Sequence, residues 1–294
     1  MFAEALKTVS QFTHPVVISQ RFFDGTVSCG MATFIILNEE GWILTSAHVL
    51  GALHSHKAHS KEIDSYEKTK AEIESNSKLN YKQKKKKLKK MVTKNNKWIT
   101  YVSYWWGKDG NTINNFHFNN FRDITLGKIE PFDKNWISTY PTFKNPKSEL
   151  LVGSSLCRLG FPFHQINATF EEKTKKFSLE PGALPMPRFP IEGIHTRVAI
   201  MINGTTKEQA KFIETSSPGL RGQSGGPIFD VDGNIWGLQS RTTHLPLGFS
   251  PKVKSGKKEV EEHQFLSVGL GTHVEDIINF LTENKINFNL EPNP

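Results

Sequence analysis

The sequence has little cysteine and no long apolar run, and these two absences exclude several classes of protein. Only two of its 294 residues are cysteines, Cys29 and Cys157, which excludes a small fold held together by a disulfide framework. No stretch approaches the roughly eighteen apolar residues that a membrane-spanning helix needs. Residues 1–7 lack the basic region and apolar core of a signal peptide, so we expect a cytoplasmic protein, with delivery into another cell left open as an alternative.

Excess positive charge is absent from most of the chain. Residues 57–97 hold fourteen lysines against five acidic residues, a net +9, whereas the whole chain is +8, so the remainder sums to about −1. This segment has no glycine or proline, which predicts a helical insertion, with a hinge near Asn76–Ser77. A lysine run such as 84–87 is usually a solvated helix end. The alternative is a docking surface for an anionic partner: nucleic acid, acidic lipid or acidic protein.

A serine at a glycine-rich bend is the most informative feature that is present. Residues 219–227 read Gly-Leu-Arg-Gly-Gln-Ser-Gly-Gly-Pro and lead into an apolar stretch, so Ser224 would lie on a tight turn that feeds a strand. Such a turn leaves room for a planar carbonyl, and the N–H groups of Gly222 and Ser224 would be available to stabilise an oxyanion. We interpret Ser224 as a candidate nucleophile, which requires a histidine base and a group that orients it.

Candidates for both partners lie earlier in the chain. His48 follows the apolar residues 42–44 at a small-residue turn, where a base at the end of a strand is expected. Asp123 begins a segment in which apolar and polar residues alternate, as in a half-buried strand. Asp109 is a second candidate for the acid, although a carboxylate in a turn usually caps its own backbone.

These segments together resemble the chymotrypsin-fold (trypsin-like) serine proteases. Ser-Ala-His-Val at 46–49, Arg-Asp-Ile-Thr-Leu at 122–126 and Gly-x-Ser-Gly-Gly-Pro at 222–227 occur in the order of that family, and the chain is most similar to its disulfide-free bacterial branch. The resemblance implies an all-β fold of two six-stranded barrels and a catalytic triad of His48, Asp123 and Ser224. It also implies an oxyanion hole formed by Gly222 and Ser224, and no cofactor or metal.

The resemblance also bears on the cysteines. In the secreted relatives a disulfide joins the positions that Cys29 and Val49 occupy here, so that bridge cannot form. Cys157 resembles a position whose usual partner falls near Asp230. Two unpaired thiols are typical of a reducing compartment, and a Cys29–Cys157 bridge stays open as the alternative.

Two departures from the family bear on control and specificity. Gln223 stands where the digestive and clotting enzymes carry an acid that captures a new N-terminus, so we do not expect activation by zymogen cleavage. Pro218 occupies the floor of the specificity pocket, where trypsin-like specificity for Lys or Arg needs an acid; small or apolar side chains are therefore favoured. The resemblance assigns pairing with the substrate backbone to Ser240, Arg241 and Thr242.

Two domains follow from this reading. Residues 1–140 are predicted to form an N-terminal barrel that carries His48 and Asp123, with the insertion at about 57–97. Residues 141–294 are predicted to form a C-terminal barrel that carries Ser224 and ends in a helix.

Several individual elements are also predicted. They are a helix at 3–12, a final helix capped by Thr272, a loop at 178–195 whose prolines and glycines break any strand, and a second loop at 243–263.

Three histidines follow the candidate base within a few residues. His54, His56 and His59 invite a zinc interpretation, but no cysteine or carboxylate at metal-ligand spacing joins them. We therefore expect ordinary surface histidines and no metal.

The sequence supports two functions and a combination of them. The first is a serine endopeptidase acting on proteins or peptides through an acyl-enzyme. The second is a dormant protease fold that binds an anionic partner through its basic insertion. In the combination, that partner switches the protease on.

Overall fold

The structure, a computed structural model, describes residues 1–92, 97–183, 185–256, 258–261 and 264–293. Residues 93–96 of the predicted insertion, residue 184 of the first predicted loop and residues 257, 262 and 263 of the second lie outside the described residues, as does residue 294 of the predicted second domain.

The first sheet has six antiparallel strands. They are β1 (Thr13–Phe22), β2 (Val27–Ile36), β3 (Trp42–Thr45), β4 (Ile99–Trp105), β5 (Thr112–Asn119) and β6 (Ile124–Glu130). Their spatial order is β4-β1-β2-β3-β6-β5. The apolar residues 34–36 at the end of β2 are buried on both faces, which places the core of this sheet beside β3 and β6.

The remaining strands form a second sheet and two separate hairpins. They are β7 (Thr142–Phe143), β8 (Ser155–Gly160), β9 (Ala168–Glu171), β10 (Lys176–Leu179), β11 (Phe189–Ile202), β12 (Gln209–Thr215), β13 (Pro227–Phe229), β14 (Ile235–Pro246), β15 (Lys252–Ser255), β16 (Lys258–Glu261), β17 (Phe265–His273) and β18 (Asn289–Leu290). In the second sheet the order is β13-β8-β11-β12-β17-β14, and a further β13–β14 pairing closes these six strands into a ring.

The predicted fold class is therefore confirmed: the chain is mostly β and forms two curled sheets of the chymotrypsin type. The second sheet contains eight strands, because the two-residue strands β7 and β18 are added beyond β14. The strands of the first sheet come from residues 13–130 and those of the second from residues 142–290. The domain boundary near residue 140 stays a prediction.

Four α-helices accompany the sheets in the part of the chain that the structure describes. They are α1 (Ala3–Phe12), α2 (Gly51–Ser75), α3 (Tyr81–Val92) and α4 (Val274–Glu283). Apolar residues at helical spacing explain the first and the last: Ala5, Val9 and Phe12 are buried in α1, and Val274 and Ile277 in α4. None of the helices in the described residues is both long and apolar enough to cross a bilayer.

Residues near both ends of the chain connect the two sheets. Phe2 packs edge-on against Phe229 of β13 just before α1, whereas Thr13, directly after α1, pairs with Ile35 in the first sheet. After α4, the side-chain amide of Asn38, in the turn between β2 and β3, donates to the carbonyl of Asn287 at 2.8 Å. One apolar cluster accordingly includes buried residues of both sheets.

The lysine-rich insertion is a helical hairpin, as predicted, but it begins earlier. Its first helix, α2, starts at Gly51, directly after the short 3-10 helix Ala47–Leu50 that contains His48. A charge pattern could not reveal this start, because residues 51–56 carry no lysine or acid.

The three histidines near the start of α2 fix that helix to the first sheet. The ring of His54 packs on Phe118 at 4.3 Å between centroids, and His56 Nε2 lies 3.0 Å from the carbonyl oxygen of Thr100. His59 Nδ1 accepts from the backbone N–H of Ile99 at 3.0 Å. His54 is exposed, as expected of a surface histidine, whereas His56 and His59 are half-buried.

Two predicted loops contain strands, and one predicted cap is wrong. Strand β11 begins at Phe189, inside the segment 178–195, because residues 189–194 pair with β8 despite the proline at 190. The hairpin β15–β16 lies within 243–263. The N-cap of α4 is His273, whose Nδ1 accepts from the N–H of Glu275, whereas the hydroxyl of Thr272 donates to the carbonyl of Arg122.

Candidate active site

His48 and Asp123 come together at the edge of the first sheet. Nδ1 of His48 lies 2.9 and 3.0 Å from the two carboxylate oxygens of Asp123, and the backbone N–H of His48 donates to Oδ1 at 3.0 Å. Both residues stand at the ends of paired strands: Thr45 of β3 lies opposite Thr125 of β6. The contact fixes the plane of the imidazole and leaves Nε2 facing away from the acid.

The carboxylate of Asp123 is buried and fully engaged. The backbone of Asp123 has a positive φ of 54°, which turns the side chain out of the strand that begins at Ile124 and toward His48. Burial by itself would raise the pKa of Asp123, but hydrogen bonds from His48 and Ser240, together with the charge of His48, hold the pKa below its usual value. Asp123 therefore stays ionised and can stabilise a protonated imidazole.

The loop before Ser224 is a tight turn that only glycine can complete. The N–H of Gln223 donates to the carbonyl of Leu220 at 3.0 Å and Gly222 has a φ of +96°, a type II turn with glycine at its third position. A Cβ on Gly222 would lie 2.3 Å from the carbonyl oxygen of Phe161. The backbone N–H groups of Gly222 and Ser224, among the described residues, donate to no protein acceptor.

Strand β2 of the first sheet holds this loop in place. The backbone N–H of Thr33 donates to the carbonyl of Ser224 at 2.9 Å, and its hydroxyl donates to the carbonyl of Gly222 at 2.6 Å. The loop that carries His48 is held in turn by the second sheet, because the hydroxyl of Ser46 donates to the carbonyl of Gln239 at 2.8 Å. Each sheet thus positions the functional segment of the other.

His48 and Ser224 line one cleft between the two sheets. The cleft encloses about 1140 Å³, and Cys29, Phe161 and Gly222 also contribute to its wall. The described part of the chain has no hydrogen bond between the imidazole of His48 and the hydroxyl of Ser224. A base, its orienting acid, a hydroxyl and two unengaged N–H groups are therefore present at one place, which is the composition that acyl transfer requires.

Gln223 has a structural role in this loop. Its side chain is completely buried; Oε1 accepts from the N–H of Leu220 at 2.9 Å, and Nε2 donates to the carbonyl of Phe189 at 3.3 Å. A neutral amide thus ties the turn before Ser224 to the start of β11. No carboxylate is needed here to hold the turn.

A family model described as the trypsin-like peptidase domain matches residues 32–238, which include His48, Asp123 and Ser224. The chain belongs to this family. It is a protease of the chymotrypsin fold, and the expectation drawn from its three segments is confirmed at that level. No curated protein sequence matched the chain.

One solved protease structure shares the fold of this trypsin-like peptidase, and a second is similar to a lower degree. The active form of the Rv3671c protease from M. tuberculosis is 9% identical and superposes with a TM-score of 0.51, over 98% of this chain and 86% of that one. A variant of the HtrA-type protease AlgW with a tripeptide is 11% identical with a TM-score of 0.45, over 96% of this chain and 63% of that one.

The residues predicted to bind substrate lie around Ser224 in different ways. Ser240 is buried, and its hydroxyl donates to Oδ2 of Asp123 at 2.5 Å, so its side chain serves the acid rather than the cleft. Arg241 is exposed, with its guanidinium 4.9 Å from the centre of the Phe212 ring. The hydroxyl of Thr242 donates to the carbonyl of Gly219 at 2.6 Å, and the carbonyl of Pro218 lies 3.5 Å from Nη1 of Arg158.

The strand that carries these residues has one free edge. At 241–246, β14 pairs with β17, whereas its contacts with β13 and β7 lie at or before Leu238. No other strand in the described ranges pairs with β14 beyond Leu238. Its second edge is therefore available to an added strand.

The other candidates from the sequence have contacts of their own and none pairs with His48 in the described residues. Asp109 accepts from the indole N–H of Trp105 at 2.8 Å, as a turn carboxylate commonly does. Both cysteines are free: Cys157 is buried, and burial raises its pKa to about 12, while Cys29 is half-buried with its pKa also raised by burial. The described residues contain no cluster of three or more metal-ligating side chains.

Three positioning residues were missed by sequence reasoning. Thr33, Ser46 and the hydroxyl of Ser240 all act through contacts that join residues more than a hundred positions apart. The signal for Thr33 was a threonine inside an otherwise apolar strand, because a buried hydroxyl needs a partner. Nothing local pointed to the partners themselves.

Proposed function

We propose that this trypsin-like peptidase is a serine endopeptidase that cleaves protein substrates through His48, Asp123 and Ser224. The observation that carries the proposal is the two-oxygen contact of Asp123 with the His48 ring, beside the cleft that both His48 and Ser224 line. Members of an unrelated fold could share a lone Gly-x-Ser-Gly, but this contact supplies the base and its orienting acid together.

Each proposed residue has one role in the reaction. Ser224 Oγ attacks the scissile carbonyl while Nε2 of His48 takes its proton, and Asp123 stabilises the imidazolium that results. The N–H groups of Gly222 and Ser224 stabilise the oxyanion. His48 then gives its proton to the leaving amine, and water, activated in the same way, hydrolyses the acyl-enzyme.

The free edge of β14 supports an extended substrate. A peptide added as a strand beside Ser240–Thr242 would gain backbone hydrogen bonds independent of its sequence, and its scissile bond would lie near Ser224. Substrate binding by this strand therefore involves backbone atoms, while the buried hydroxyl of Ser240 serves Asp123.

A fluorophosphonate probe tests the proposal directly, because it labels only an activated serine. We expect labelling of the wild type and no labelling of Ser224→Ala, with proteolysis of an unfolded protein substrate following the same pattern. Ser216→Ala is the matched control, since Ser216 lies eight residues earlier and outside the cleft. Equal labelling of the wild type and Ser224→Ala would contradict the assignment of Ser224.

The second candidate is a dormant protease fold that binds an anion, and the charge of the insertion favours it. Helix α3 holds seven lysines and no acidic residue, whereas α2 holds four lysines against five acids, so the positive charge is concentrated on α3. Lys82, Lys85 and Lys86 are exposed there. A surface of this density attracts polyanions in a salt-dependent way.

The two candidates also combine into one regulated protease. Helix α2 is about 37 Å long at 1.5 Å per residue, and begins three residues after His48. Its histidines and Tyr66, which packs against Phe23 and Trp98, fix it to the first sheet. An anion bound at α3 would therefore act on the segment that holds the base, in place of zymogen cleavage.

Cleavage measured with and without polyphosphate, at low and at high salt, separates these possibilities. A rise in activity with polyphosphate that disappears at high salt supports regulation. No fluorophosphonate labelling under any of these conditions, together with retained polyphosphate binding, supports the dormant module.

A further inference from the structure

Arg158 of β8 is a buried arginine, and two of its three guanidinium nitrogens have no hydrogen-bond partner among the described residues. Its side chain is 1% exposed. Nη1 donates to the hydroxyl of Ser217 at 2.7 Å and to its carbonyl at 3.0 Å, and lies 3.5 Å from the carbonyl of Pro218. Nε and Nη2 are also buried, and neither has a hydrogen-bond partner among the described residues.

The family resemblance places the floor of the specificity pocket at Pro218, and this guanidinium contacts the carbonyls of Ser217 and Pro218. Ser217 and Pro218 begin the segment that leads to Ser224. On the other side, a Cβ on Gly269 would lie 2.4 Å from Nη2 of Arg158, so the guanidinium is in contact with that glycine. Gly269 pairs with Thr242 of β14, the strand beside which the substrate is proposed to add.

No carboxylate compensates the charge of Arg158 within the described residues. Burial lowers the pKa of Arg158 to about 10, which still leaves it protonated at neutral pH. A buried cation without a counter-ion is unfavourable, and two N–H-bearing atoms without acceptors add to that cost. Holding the Ser217–Pro218 segment needs only Nη1, so it does not account for Nε and Nη2.

We propose that Arg158 determines specificity by binding an acidic side chain, Asp or Glu, at the substrate residue that precedes the scissile bond. The inference rests on the proposed endopeptidase function and replaces the small or apolar preference expected from Pro218 alone. A carboxylate accepts from two guanidinium nitrogens in one plane, which is the geometry that Nε and Nη2 offer.

Arg158 does not line the cleft at Ser224, so a substrate side chain has to open a path to it. The hydroxyl of Thr242 donates to the carbonyl of Gly219, and the amide of Gln239 lies against the Cα of Gly219. In this proposal an entering carboxylate displaces the Thr242 hydroxyl from the Gly219 carbonyl and accepts hydrogen bonds from Arg158. A neutral side chain would break the same Thr242–Gly219 hydrogen bond without gaining a charged pair with Arg158. Discrimination against neutral side chains therefore includes the cost of that lost hydrogen bond.

Matched peptides that differ only in Glu or Gln, and in Asp or Asn, before the scissile bond test this inference. For the wild type we expect kcat/KM to be about 10- to 100-fold higher for Glu than for Gln, the size of a charge-assisted pair. Arg158→Met should remove the difference by lowering cleavage of the Glu peptide. Arg197→Met is the control, because Arg197 is exposed and pairs with Glu214 on β12.

Binding gives a second readout that does not depend on catalysis. Peptides that end in Glu or Gln are titrated into Ser224→Ala, and into Ser224→Ala combined with Arg158→Met, with affinity measured by fluorescence anisotropy. Tighter binding of the Glu peptide only where Arg158 is present supports the inference.

Three outcomes separate the two proposals. Equal cleavage and equal binding of the Glu and Gln peptides by the Arg158-containing protein would overturn the assignment, whether or not Arg158→Met folds. An acidic preference that survives in a folded Arg158→Met variant would overturn it as well. Failure of the fluorophosphonate to label Ser224 counts against the endopeptidase, and the binding experiment still decides the role of Arg158.

Discussion

The hydroxyl of Ser240 lies 2.5 Å from Oδ2 of Asp123 and connects the substrate-side strand of the second sheet to the acid of the first. Asp123 has three hydrogen-bond donors: this hydroxyl, the backbone N–H of His48 and the imidazole of His48. The acid is thus held from both sheets.

Removing this hydroxyl should impair catalysis more than binding. In Ser240→Ala the carboxylate of Asp123 loses one donor, so its pKa rises and it orients His48 less firmly. We expect kcat to fall about tenfold with KM little changed. Kinetics across pH would measure both effects. Ser155→Ala is the control, because Ser155 also donates to a carboxylate, that of Glu192, at an exposed site. An unchanged kcat for Ser240→Ala would refute the positioning role.

The turn at Gly222 should tolerate no side chain. Gly222→Ala places a Cβ 2.3 Å from the carbonyl oxygen of Phe161 at a positive φ, so the turn must rearrange and its N–H must leave the oxyanion position. We expect kcat to fall by about a hundredfold or more. Gly204→Ala is the control, since nothing lies within 4 Å of that Cβ. Circular dichroism would show whether Gly222→Ala is folded, and full activity in a folded Gly222→Ala would argue against the oxyanion assignment.

Stability should decline in acid because of His273. Burial lowers the pKa of His273 to about 4, despite the opposing charge of Glu275, whereas in the unfolded chain it is about 6.5. Between these two values the unfolded state binds more protons, so stability is full above pH 6.5 and decreases toward pH 4, by up to about 3 kcal/mol.

The variant His273→Asn tests whether His273 causes the acid sensitivity. His273→Asn keeps an acceptor for the N–H of Glu275 at the start of α4 but does not titrate. Urea denaturation at pH 7 and pH 5 should show a smaller loss of stability in the variant. The same loss in both proteins would assign the acid sensitivity elsewhere.

The lysines of α3 should dominate polyanion binding. Replacing Lys85, Lys86 and Lys87 by Gln should weaken binding to polyphosphate or single-stranded DNA and reduce the slope of log K against log salt by about 2 to 3. Replacing Lys57, Lys61 and Lys68 of α2 removes the same charge where acids outnumber lysines, and should change the slope less. Titrations at several salt concentrations would compare the two. Equal reductions of the salt slope in the α3 and α2 variants would mean that the anion-binding site is not concentrated on α3.

The sequence predicted the local features of the site because each lies within a short segment. Glycines mark the turn at Ser224, and small residues mark the turn at His48. The contact of Ser240 with Asp123 and that of Thr33 with Ser224 could not be predicted in the same way, because both cross the interface between the sheets. Such contacts depend on how the two sheets pack, and the alternation of apolar and polar residues along one strand does not report that packing.

The prolines and the histidines were misleading for a related reason. The pattern of prolines predicts no strand at Pro190, yet β11 runs through it, because pairing with β8 on one side decides the conformation. His56 and His59 gave no sign of burial, since their partners, Thr100 and Ile99, lie on a strand some forty residues later. Tertiary contacts overrode local propensity at both places.

The two ends of the described chain limit how far the cleft can widen. Phe2 holds the start of the chain to β13, Thr13 enters the first sheet, and Asn287 returns to Asn38 on the first sheet after α4. These contacts at both ends oppose a separation of the two sheets. Under the proposed function, we expect a polypeptide to reach Ser224 as an extended segment, so cleavage should occur in unfolded regions and loops rather than within folded domains.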